Sequence, residues 1–113
     1  MIIDCHGHYT TAPRALVDFR ERQKAALAAG AVGGLDTKIR ISDDEIRESL
    51  ESKQIRIQAE RGVDLTLFSP RAAHMAHHVG DAAASELWTR HCNDLIHRAV
   101  SLYPDRLVGV CQL

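Results

Sequence analysis

Three stretches of β-forming residues, 1–8, 63–68 and 107–113, are kept apart by long segments of helical periodicity. Strands separated in this way cannot be joined by hairpins. The connections are long enough for right-handed crossovers that lay each strand parallel to the one before it. The order strand, helices, strand, helix, strand therefore predicts an α/β fold built on a parallel sheet.

The helical segments carry their own signals. Residues 13–29 predict a helix, with Thr11 or Ala12 near its cap and Pro13 in the first turn, where a missing N–H costs nothing. Leu16, Phe19, Gln23 and Leu27 form only a thin stripe on it, which predicts a peripheral, lid-like element. Residues 30–35, Gly-Ala-Val-Gly-Gly-Leu, read as a linker because they follow no strand and lack the Lys-Ser/Thr of a phosphate loop.

Ser42-Asp43-Asp44-Glu45 is a capping box, and it predicts one helix carrying Ile46, Leu50 and Ile57 as far as Arg61-Gly62. Capping accounts for these acids, so they are not read as catalytic. From 82 to 102, Trp88, Cys92, Leu95, Ile96, Ala99 and Tyr103 recur at helical spacing and predict a core-facing stripe. Cys92 then reads as a small buried hydrophobe rather than a nucleophile, with His91 and His97 on the flanks. Pro104-Asp105 ends that helix before the last strand.

The chemistry concentrates at strand ends. His6 and His8 lie two apart, so strand alternation projects both imidazoles to one side, as two ligands of a divalent metal require. Asp4 falls on the same face and is expected to orient an imidazole from behind. After the second strand come Ser69-Pro70-Arg71, on the same end of a parallel sheet as the two histidines. Arg71 is the candidate to hold a substrate carboxylate through its guanidinium fork. His74, His77 and His78 follow; His74 is read as a further contact to an anionic substrate, and on a helix it would share a face with His78.

Composition excludes several functions. A net charge of −1 provides no basic field for nucleic acid or an anionic membrane surface. No apolar run is long enough to span a bilayer. Three cysteines without paired spacing fit a reducing cytoplasm. At 113 residues the chain is one domain's worth, whereas a closed (β/α)8 barrel takes about 250.

Asp4-x-His6-x-His8 after an apolar strand resembles the first-strand signature of the metal-dependent amidohydrolase superfamily, which folds as a (β/α)8 TIM barrel. Residues 2–10, 41–48, 68–72, 92–96 and 109–111 are similar to its hydratase branch, which adds water to a carbon–carbon double bond of a tricarboxylate in the protocatechuate 4,5-cleavage route of aromatic, lignin-derived degradation. The resemblance implies that residues 1–113 are the N-terminal part of such a barrel, with about three parallel strands and the barrel incomplete. It implies Zn²⁺ on His6 and His8 and a small tricarboxylate substrate held by Arg71 and His74. The later metal ligand and the general acid/base are expected beyond residue 113, so the stretch alone is expected to be inactive. A decarboxylase or hydrolase of the same superfamily is the alternative, as is a non-enzymatic α/β module that covers its open sheet by forming a homo-oligomer.

Overall fold

The computed structural model describes residues 1–31, 38–76 and 78–113. Its elements are β1 (Ile3–His8), α1 (Arg14–Ala28), α2 (Asp43–Glu51), α3 (Gln54–Glu60), β2 (Leu65–Ser69), a short 3-10 turn (Ala72–His74), α4 (Ala82–Leu102) and β3 (Leu107–Gly109). The strands form one sheet in the order β1-β2-β3, parallel throughout. This is the expected α/β class.

One sheet face is covered. Phe68 of β2 and Leu107 of β3 meet Trp88, Cys92, Leu95, Ile96 and Ala99 of α4, and all are buried. The sequence stripe on α4 recurs in the structure with both helix bounds, because its spacing of three and four residues has no competing signal. Tyr103, at its end, is half-buried and packs against the same cluster.

α1 is no lid. Leu16 and Phe19 belong to the core, and the Phe19 ring lies parallel to Trp88 with centroids 6.5 Å apart. The stripe looked thin because Gln23, one of its members, and Arg20 beside it are polar residues that the fold buries and satisfies internally. Gly30, at φ +78, ends the helix region; residues 32–35 of the expected linker lie outside the described residues.

The single helix expected from 42 to 61 is two. Ser42 caps α2 and its hydroxyl accepts from the Glu45 N–H, while the Glu45 carboxylate accepts from the Ser42 N–H at 2.7 Å. That carboxyl is held below its usual range by the backbone and side-chain bonds to Ser42. The chain then breaks at Lys53, whose φ of −142 and ψ of −69 are not helical. Ile57 follows Leu50 by seven residues, so the apolar period runs straight through the break and conceals it. Replacing Ser42 with alanine removes the cap, and urea denaturation should show a loss of about 1 kcal/mol.

Gly62, at φ +65, closes α3 in the left-handed conformation that the sequence predicted. β3 is shorter than the expected 107–113. Beyond Gly109 the backbone of Gln112 exchanges two hydrogen bonds of 2.9 Å with the Asn93 side chain, which draws the chain out of the ladder and onto α4.

Burial pushes the Cys92 thiol up to about 12, so it stays protonated, whereas Cys5 and Cys111 are exposed. Alkylation of the native protein, read by mass spectrometry, is expected to label Cys5 and Cys111 and to reach Cys92 only after unfolding. Early labelling of Cys92 would show that α4 does not pack as described.

Candidate metal-binding site at the end of the first strand

The ladder between β1 and β2 pairs Ile3 with Leu65 and Asp4 with Thr66, then resumes at Gly7 with Phe68 and His8 with Ser69. β1 thus spends one residue more than β2 over that interval. Paired residues in adjacent strands share a face, so Asp4 and Gly7 take the helix-covered side with Thr66 and Phe68. His8 takes the opposite side with Ser69.

This corrects the reading of Asp4. Simple alternation placed it on the histidine face, but the irregularity shifts its phase, and its carboxylate accepts from the His6 backbone N–H at 3.0 Å. The groups that orient an imidazole are others. His8 Nδ1 lies 2.7 Å from Ser69 Oγ and 3.0 Å from the Pro70 carbonyl oxygen. A carbonyl can only accept, and Ser69 Oγ donates its own hydrogen to the Gly7 carbonyl at 3.0 Å. The proton therefore belongs on Nδ1, which leaves the Nε2 lone pair outward.

That lone pair points at His6. The two Nε2 atoms are 3.1 Å apart, with the rings nearly perpendicular at 84°. Two bonds of about 2.0–2.1 Å can reach one ion from nitrogens so spaced. The donor set suits a borderline divalent cation such as Zn²⁺. Among the described residues no group of three or more His, Cys, Asp or Glu side chains is placed to hold a metal. The pair is therefore a partial ligand set.

The turn that follows is fixed by groups that carry no signal in the sequence. Gln54, at the start of α3, donates to the His8 carbonyl at 2.9 Å and to Thr10 Oγ1 at 3.0 Å, and accepts from Thr11. Tyr9 is buried, its hydroxyl bonded to Ser49, and burial pushes its phenol up to about 12. Ser69 was visible as the residue that closes β2, but its role depends on the register. Gln54 carried no signal, because a glutamine beginning a helix is ordinary.

Asp4, His6 and His8 line a cleft of about 420 Å³ together with Lys53, Gln54 and Arg61, so Asp4 borders the same cavity as the histidines while its carboxylate bonds the His6 backbone. Arg71 and His74 do not line that cleft. They border a separate gap of about 10 Å³ beside Tyr9, Leu16 and Cys92, with the Arg71 side chain exposed. The two pairs share the same strand ends without sharing a cavity. The His74 imidazole is held below its usual range, first by burial and then by the Arg71 charge, so it is neutral at pH 7. The 3-10 turn stops at His74, so the helical face that would unite His74 with His78 does not form; His77 lies outside the described residues.

Serine 69 offers a direct check. Ser69→Ala removes one of two partners of His8 Nδ1, and the affinity of the chain for Zn²⁺, measured by titration calorimetry, should fall about 10-fold.

A parallel sheet with helices on one face and two imidazoles at the carboxyl end of its first strand defines an α/β-barrel type of protein. The chain belongs to the amidohydrolase family, whose family model matches residues 3–113. It is 53% identical over all 113 residues to the 2-keto-4-carboxy-3-hexenedioate hydratase of Sphingobium sp., of which it covers 33%. The crystal structure of 4-oxalomesaconate hydratase from Rhodopseudomonas palustris, 45% identical, matches the whole chain at a TM-score of 0.89, over 33% of that protein. The chain thus spans about a third of the length of either relative. Its three strands and their helices match the N-terminal part of the hydratase barrel, with the sheet not closed.

Proposed function

We propose that residues 1–113 are the N-terminal part of an amidohydrolase-type TIM-barrel domain, and that they supply the first two metal ligands of a lyase hydrating 4-oxalomesaconate. The observation that carries this reading is the convergence of His6 Nε2 and His8 Nε2, with the His8 ring locked from behind by Ser69 and Pro70. The hydratase names of the relatives supply the reaction.

A divalent ion, Zn²⁺ by its preference for imidazole, supplies Lewis acidity to the addition of water. The chain's own residues do the rest of what is assigned here. Ser69 and Pro70 keep the proton on His8 Nδ1. Arg71, exposed at the strand end, forms a forked pair with one carboxylate of the tricarboxylate substrate. Neutral His74 offers an N–H to an anionic oxygen without adding charge. No general acid/base is assigned to a residue of this stretch.

A small-molecule substrate also fits the net charge of −1, and no helix among the described residues is long and apolar enough to cross a membrane. We place the protein in the cytoplasm on its free thiols.

The test is a hydration assay with 4-oxalomesaconate and Zn²⁺ on a protein in which this chain is part of a completed barrel. Loss of the conjugated double bond without release of carbon dioxide supports the hydratase. Carbon dioxide release sinks it in favour of a decarboxylase.

A further inference from the structure

Arg20 is a charged side chain only 5% exposed, and each of its hydrogen-bond acceptors is neutral. Its guanidinium sits 4.9 Å from the centre of the Trp88 ring and donates to Gln23 Oε1. Its other arm reaches across the fold to the backbone carbonyls of Ala76, at 3.1 Å, and Met75, at 3.4 Å. Burial pulls the guanidinium below its usual range, a cost that packing alone does not require of a helix facing a core.

The same short segment is gripped from α4. The Trp88 indole N–H donates to the His74 carbonyl at 2.7 Å. Three consecutive carbonyls, at 74, 75 and 76, are thus held by two buried side chains from two different helices. Ala76 takes φ +40, a left-handed conformation that a residue with a Cβ rarely adopts and that needs such external restraint. Gln23 closes the node by donating to the Ala84 carbonyl at 3.0 Å.

We propose that Arg20 is a positioning residue: through the Met75 and Ala76 carbonyls it fixes the turn that presents Arg71 and His74 to an anionic substrate. The purpose assigned to the turn rests on the reading of Arg71 and His74 given above; the clamp itself does not. The planar fork lets Nη1 hold Gln23 while Nη2 holds the Met75 and Ala76 carbonyls, two directions that the single ammonium of a lysine does not reach together equally well.

The experiment compares the 113-residue protein with R20K, R20M and W88F by hydrogen exchange and by the indole N–H resonance of Trp88. W88F keeps an aromatic ring in the core and removes the indole N–H that bonds the His74 carbonyl, at the cost of a smaller ring, so it probes the clamp independently if R20M folds poorly. The expected result is exchange at least about tenfold faster at residues 72–76 in R20M and W88F, with α4 unchanged and R20K intermediate. In R20M the indole resonance should also lose its hydrogen-bonded shift, and R20K should restore part of it. Equal protection of 72–76 in all four proteins overturns the proposal, as does acceleration spread equally over α4, which would make Arg20 a packing residue. Citrate, as a tricarboxylate probe, is titrated against the His74 ring resonances of the wild type and R20M. Weaker binding in R20M ties the clamp to ligand recognition. No binding by the wild type sinks the substrate reading of Arg71 and His74, while the exchange data still decide the clamp.

Discussion

His8→Ala is expected to abolish measurable Zn²⁺ binding by this chain, with at least about a 100-fold loss in affinity, the upper end of what even an outer partner of a ligand costs. His8 is the better-placed ligand of the pair, because Ser69 and Pro70 fix both its ring orientation and its tautomer. His6→Ala should do comparable harm by leaving one nitrogen. Titration calorimetry of the variant beside the wild type reads the effect. A His8→Ala protein that binds Zn²⁺ as tightly as the wild type would place the metal elsewhere and remove the basis of the proposed function. Thermal unfolding of the same variant should change little, because His6 is exposed and His8 half-buried at the mouth of a cleft.

The second large effect concerns stability. A Cβ at position 7 would lie 2.2 Å from Thr66 Cγ2 and 2.8 Å from the Leu67 carbonyl oxygen. The first contact is a methyl that can turn away; the second is backbone of the neighbouring strand and cannot. Gly7→Ala should therefore destabilise the fold by about 1–3 kcal/mol, by urea denaturation, and spread β1 from β2. Pairing it with Thr66→Ser removes the methyl only, so a partial recovery is expected. Full recovery would show that the backbone contact is harmless. Because Gly7 lies between the two histidines, the same spreading should also weaken Zn²⁺ binding.

What the sequence revealed and what it hid divides along physical lines. α4 was legible from end to end because a stripe of Trp88, Cys92, Leu95, Ile96 and Ala99 follows one period against one core. The Ser42 cap and the Gly62 stop were legible because each satisfies local backbone geometry, a property of few residues. His6 and His8 were legible as a pair because two residues apart on a strand means one face. The break at Lys53 was hidden by an apolar spacing that a continuous helix would share. The role of Asp4 was misread because, past a one-residue irregularity in pairing, its carboxylate bonds the His6 backbone rather than an imidazole, although it borders the same cleft. Arg20 was invisible, since an arginine is ordinarily solvated and only the folded chain shows two helices closing over it.

The parallel sheet leaves two unlike borders, β1 on one side and β3 on the other, with Ile2 and Ile3 exposed at the first and Val108 and Val110 at the second. Among the described residues each border pairs on one side only, so each can accept a further strand, and a strand laid along β1 would run beside the two imidazoles and shape the metal site from that side.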